Sequence, residues 1–161
     1  MDHYECSSLN HFTSRIVDRV SHRRTDEEWL ADRLQDENTR FVPVWRSKNL
    51  FASDQVAEPV LLPPADVQGL ARAAEPAILL GVNGDRTYFA IDVPSEGDLP
   101  PADLTALGEF RDLRRVALLL NEEEGGLLAY AKAIIHWHHR NRFCGDCGSP
   151  TESRESGYLR V

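Results

Sequence analysis

The chain has 161 residues, of which 42% are hydrophobic and 27% charged, with 10 Gly and 9 Pro. That balance is near the globular average and excludes a fibrous repeat or a disordered acidic tail. The formal charge of −8, from 18 Lys and Arg against 26 Asp and Glu, argues against broad electrostatic adhesion to DNA or to an anionic membrane. Three cysteines, two of them in one C-x-x-C, do not make a secreted disulfide framework. The first residues lack a basic-then-apolar leader, and the longest apolar run covers only 116–120, so a cytoplasmic protein with an incidental thiol at Cys6 is expected.

Taken in chain order, Phe12, Ile16 and Val20 fall at helical spacing and predict a short helix. Thr25-Asp26-Glu27-Glu28 fits a capping box and opens a helix over 26–35, with Trp29, Leu30 and Leu34 on its apolar face. The β-branched and aromatic stretch 39–46 reads as a strand, and Pro43, which cannot donate to a ladder, places it at an edge or a bulge. Ser47-Lys48-Asn49 is turn-like, with a partner strand starting at Leu50-Phe51. After Pro63-Pro64 a short helix is expected over 65–74. Two apolar runs, 77–82 and 87–92, flank Asn83-Gly84, the residue pair that supplies the positive φ angles of a tight hairpin. The proline-rich stretch 93–101 is a surface connection, and 103–107 is a helical turn. Asn121, followed by Glu122, Glu123 and Glu124, caps a long helix that ends near Arg140. Its stripe is Leu127, Leu128, Ala131, Ile134, Ile135 and His138, with Gly125-Gly126 a local weakness.

The most specific chemical feature is Phe143-Cys144-Gly145-Asp146-Cys147-Gly148. A C-x-x-C-G turn lets backbone amides face both sulfurs, which suits two thiolates around Zn²⁺. Three readings compete for it: a redox dithiol, two ordinary surface cysteines, and half of a zinc ribbon. Redox is the weakest, because the motif follows a helix rather than opening one after a strand. His136 and His139 stand at i,i+3 with His138 on another face, yet H-E-x-x-H is absent, and histidines at a helix C-terminus are expected to be solvated or to offset the dipole. Glu122–Glu124 are explained as acids of a helix N-terminus. Arg111, Arg114 and Arg115 form a local basic cluster able to hold a phosphate or simply to pair at the surface. Phosphate-loop, serine-elbow and dinucleotide-fingerprint motifs do not occur.

The stretch 127–151, through Ile134-Ile135-His136-Trp137-His138-His139 into Cys144-Gly145-Asp146-Cys147, resembles the helix and first zinc knuckle of NADH pyrophosphatases of the Nudix hydrolase superfamily. Phe110-Arg111-Asp112-Leu113-Arg114, the hairpin, and the Trp29 helix followed by 41–45 are similar to that family's N-terminal domain. The resemblance implies an α+β fold: a rudimentary Nudix-like domain over 1–120 with a small, mostly antiparallel sheet and flanking helices, a connecting helix over 121–142, and the first half of a zinc ribbon over 143–161. It implies Cys144 and Cys147 as structural zinc ligands and Arg114 as a residue approaching substrate phosphates. Family members cleave NADH or NAD⁺ to nicotinamide mononucleotide and AMP with Mg²⁺ or Mn²⁺, some remove NAD caps from RNA, and a homodimer is the expected assembly. Departures accompany the likeness: no second C-x-x-C and no R-E-x-x-E-E-x-G core is present in the 161 residues. The chain is therefore expected to be the non-catalytic N-terminal part of a NAD(H) diphosphatase, with no catalytic residues of its own. The alternative is a free-standing binding or scaffolding domain with a metal site shared across a dimer.

Overall fold

The computed structural model describes residues 12, 16–52, 57–67, 70, 77–94 and 97–161. Five strands, β1 (Arg40–Trp45), β2 (Lys48–Phe51), β3 (Ile78–Asn83), β4 (Arg86–Asp92) and β5 (Glu109–Arg111), form one sheet in the order β3-β4-β1-β2-β5. The helices are α1 (Glu27–Gln35), α2 (Pro64–Val67), α3 (Ala102–Thr105), α4 (Leu113–Val116) and α5 (Glu122–Arg140). A small hairpin of β6 (Ser153–Arg154) and β7 (Leu159–Arg160) follows.

The α+β class is what the structure shows. The sheet is mixed, however: β1 runs parallel to β4, and the other three pairings are antiparallel. Both faces are covered, so the strands read as nearly continuous apolar runs. Val42, Val44, Phe51, Leu80 and Ala90 pack on the stripe of α5, where Leu127, Leu128, Ala131 and Ile135 are buried. Phe41, Trp45, Leu79, Phe89 and Phe110 face the opposite layer with Leu62, Val67 and Leu104, and Trp29 and Leu30 of α1 pack against them. Each alternate residue of β1 and β4 thus enters a different core, which is why the period-two signal is weak there.

Several expectations shift by a residue or more. Helix α1 forms, but its cap is Asp26, whose carboxylate accepts from the Trp29 N–H at 3.0 Å, rather than Thr25. Strand β1 lies inside the sheet, not at an edge. The Phe41 N–H donates to Leu62 O on the side away from β4, so Pro43, two residues on, turns its ring nitrogen to that same side. There it falls between the Leu62 bridge and the β2 pairing that begins at Val44, and no ladder bond is missing. The following turn is Arg46-Ser47, both at positive φ, and Lys48 and Asn49 already belong to β2. In the β3–β4 hairpin Asn83 pairs with Arg86, leaving Gly84, at φ 57°, and Asp85 as the turn. Of the short helix expected on Phe12, Ile16 and Val20, residues 13–15 lie outside the described residues, while at its far end Asp18 bridges Val82 and Val20 is left-handed. Of the helix expected over 65–74, α2 supplies the start, while 68–69 and 71–74 lie outside the described residues, as does Cys6.

The long helix is as the capping signature predicts. Asn121 accepts from the Glu124 N–H at 2.8 Å and the Glu124 carboxylate accepts from the Asn121 N–H at 3.4 Å. Three acids thus sit at the positive end of the helix dipole and His138, His139 and Arg140 at the negative end.

Candidate functional site

The C-terminal end of α5 delivers the chain into the cysteine knuckle. Phe143 bridges Pro150, the Thr151 N–H donates to Arg142 O at 2.9 Å, and inside this hairpin the Cys144 N–H donates to Ser149 O at 2.8 Å. The Gly148 N–H closes the turn on Cys144 O at 2.9 Å. The two cysteines are free thiols on one turn, with Cys147 exposed and Cys144 half-buried. Hydrogen bonds from the Ser149 side chain and backbone, and then from the Cys144 side chain, hold the Cys147 thiol below its ordinary pKa. That is the environment a thiolate metal ligand needs. The pair fits as two ligands of a tetrahedral zinc site, which takes four. Among the described residues no group of three or more His, Cys, Asp and Glu is placed to hold a metal ion.

The knuckle and the β6–β7 hairpin are fastened to the domain through His138. This histidine was expected to be solvated or to offset the dipole, but it is 3% exposed. Its Nε2 lies 2.7 Å from Gly157 O and its Nδ1 lies 2.8 Å from Arg160 Nη1. A carbonyl only accepts and a guanidinium only donates, so these two contacts assign the donor role to Nε2 and the acceptor role to Nδ1. Arg160 also donates through Nε to Thr151 Oγ1 at 2.9 Å and through Nη2 to Thr151 O at 2.8 Å. Beside it the buried Arg24 guanidinium lies 4.6 Å from the Tyr158 ring and donates to Leu79 O at 2.9 Å. The Ser156 hydroxyl donates to Arg24 O at 3.3 Å. The other two histidines of α5, His136 and His139, are exposed, His139 pairing with Asp92.

The arginine cluster separates. Arg114 is exposed in the first turn of α4, and its backbone N–H donates to the Asp112 carboxylate at 2.9 Å. That bond, joined by Lys132 Nζ at 3.5 Å, holds the Asp112 carboxyl below its usual range. Arg111 and Arg115 instead line a cavity with Lys48, and Arg114 is not part of that lining. Lys48 was not singled out by sequence, because it joins the two arginines only through the β2–β5 pairing, Asn49 opposite Arg111. Arg24, Gly157 and Arg160 were likewise silent, since each acts across the fold.

A mixed five-stranded sheet thus lies under one long capped helix that leads into a C-x-x-C knuckle. Residues 38–137 match the NUDIX-like family described as the NADH pyrophosphatase-like rudimentary NUDIX domain, and the chain belongs to that family. It is 28% identical over 188 residues to the NAD-capped RNA hydrolase NUDT12 of Macaca fascicularis, covering 98% of this chain and 40% of that protein. The human protein of the same name is 26% identical over 189 residues, covering 98% and 40%. The NAD-capped RNA hydrolase NudC of Mycobacterium tuberculosis H37Rv is 28% identical over 137 residues, covering 81% of this chain and 43% of that protein. The chain thus spans about two fifths of these relatives. No helix among the described residues is long and apolar enough to cross a membrane.

Proposed function

We propose that this chain is the N-terminal, non-catalytic part of a NAD(H) diphosphatase that cleaves the pyrophosphate of NADH or NAD⁺, and of NAD-capped RNA, with Mg²⁺ or Mn²⁺ held by another domain. The observation that carries the reading is the family match over 38–137 in a sequence without the R-E-x-x-E-E-x-G core. Without those glutamates, and with no metal-holding group of three or more His, Cys, Asp or Glu among the described residues, in-line attack by a metal-activated water lacks its usual ligands here. The role left to the chain is positional. It supports a homodimer in the cytoplasm and sets the catalytic domain against it, with Cys144 and Cys147 as half of a structural zinc ribbon. The 2.7 Å and 2.8 Å contacts of His138 to the hairpin support this, because they fix the direction of the chain beyond the knuckle. Arg114, exposed on α4, is the residue of this domain proposed to approach the substrate's phosphates.

Zinc content and mass of the purified chain test the positional role together. Two thiolates cannot close a four-ligand site, so the chain alone holds next to no zinc; half an equivalent in a dimer supports the scaffold with a shared site instead. A full equivalent per monomer contradicts both.

A further inference from the structure

The loop that joins β6 to β7 covers 155–158, because Ser153 pairs with Arg160 and Arg154 with Leu159. Four-residue hairpin loops are most often built around a type I turn, whose central residues are right-handed. This loop has the opposite hand: Glu155 and Ser156 both sit at φ 51° and Gly157 at φ 86°. Only the glycine enters that region freely, and for each of the other two it is costly. Glu155 is exposed, so burial of its side chain does not account for its backbone.

The surface under the loop does account for it. The Gly157 carbonyl accepts from His138 Nε2 at 2.7 Å, the Ser156 hydroxyl donates to Arg24 O at 3.3 Å, and Gly157 lies against Ile78 of β3. The Tyr158 ring lies 4.6 Å from the Arg24 guanidinium. Strain of this kind persists only where the surroundings over-determine it. One of these contacts also carries a cost. Arg24 is 2% exposed and donates to the Arg19 and Leu79 carbonyls at 3.1 and 2.9 Å, and among the described residues no carboxylate pairs with it. Docking the loop thus helps to bury a cation that no acid neutralises, which offsets part of what the contacts contribute.

From this geometry we infer that the β6–β7 hairpin is a strap with two arrangements: docked, with its loop held left-handed against Arg24, His138 and Ile78, and released, with the loop relaxed to the right-handed form. Thr151 links the strap to the cysteine knuckle. Its N–H donates to Arg142 O at 2.9 Å, and it accepts from Arg160 of β7 at 2.9 and 2.8 Å. Release therefore loosens the orientation of the knuckle while α5 stays packed on the sheet. The inference rests on the positional role proposed above only for that consequence.

Amide hydrogen exchange of the 161-residue chain, with Glu155→Gly and Glu155→Val, tests the strap. Glycine eases the left-handed loop and valine opposes it, because a β-branched side chain at positive φ is an outlier. A two-stranded hairpin alone is marginal in water, so the Glu152 and Val161 N–H groups, which bond each other's carbonyls at 2.7 and 3.0 Å, exchange on release. These two amides are expected to exchange about tenfold faster in Glu155→Val than in Glu155→Gly, with the wild type between them. Tyr158→Ala, which takes the ring off Arg24, speeds them about threefold over wild type, and the amides of β1 and β4 stay within about twofold throughout. The inference is overturned if Glu155→Gly and Glu155→Val exchange alike, if Tyr158→Ala exchanges at the wild-type rate, or if β1 and β4 accelerate by the same factor as the hairpin. None of these outcomes depends on whether the chain belongs to a diphosphatase.

Discussion

Replacing Gly157 by Ala perturbs the docking of the C-terminal hairpin at one point. Gly157 sits at φ 86°, and a Cβ added there would lie 2.6 Å from Ile78 Cγ1 and 2.7 Å from Cγ2. A left-handed φ costs an L-residue about 1–2 kcal/mol, and overpacking a buried contact costs about 1–3 kcal/mol more. Ile78 is 3% exposed and packs among Leu80, Ala90 and Ile135 in the core under α5, so it has little room to yield. The sum is about 3 kcal/mol, spent on releasing the hairpin from β3 and with it the His138–Gly157 bond. Urea melts of wild type, Gly157→Ala, Ile78→Ala and the double variant measure it. Removing both Cγ atoms of Ile78 relieves the two closest contacts but leaves Ile78 Cβ at 3.0 Å and the φ strain, so a coupling of about 1–2 kcal/mol is expected. A Gly157→Ala chain within about 0.5 kcal/mol of wild type, or a cycle with no coupling, would refute the reasoning.

Further outcomes follow from the same geometry. His138→Phe keeps the volume but leaves Gly157 O and one Arg160 N–H without the ring, costing about 2–4 kcal/mol; hydrogen exchange of the β6–β7 amides should accelerate while that of β1 and β4 does not. Ser47→Gly relieves one of two consecutive positive φ angles in the β1–β2 turn and raises stability by about 0.5 kcal/mol, where a lower melting temperature would count against the turn. Asp26 is held below its usual range first by the Trp29 N–H and then by Arg23, and Asp112 by the Arg114 N–H. Because these folded pKa values are depressed, the caps contribute fully above about pH 4 and are lost as pH falls through the lower folded values. Asp26→Asn, still a cap but uncharged, should therefore flatten the acid limb of thermal stability, and an unchanged limb would be inconsistent with an ionised cap.

How far the residues announced this arrangement depended on the range of each interaction. Local signals carried through: the Asn121 capping box, the α5 stripe and the hairpin near Gly84 all depend on neighbours within a few positions. The Pro43 rule failed because its premise, that a missing N–H must face solvent, ignores the gap that Leu62 leaves between two partners of β1. The Asn83-Gly84 and Ser47-Lys48-Asn49 turns each slipped by one or two residues, since register depends on the paired strands as much as on the turn. At the C-terminal end, His138 already stood on the apolar stripe, yet histidines at a helix end have an easier explanation in the dipole. What overrode it was Gly157 and Arg160, 19 and 22 residues further on. Lys48 joined Arg111 and Arg115 in the same way, by strand pairing rather than by sequence.

The central claim, a rudimentary NUDIX domain that does not hydrolyse dinucleotides by itself, is tested most directly by incubating the purified 161-residue chain with NADH and either Mg²⁺ or Mn²⁺ and measuring AMP release. The account predicts no AMP above the metal-only background with either ion. Sustained turnover that scales with protein concentration and disappears with chelator would contradict it.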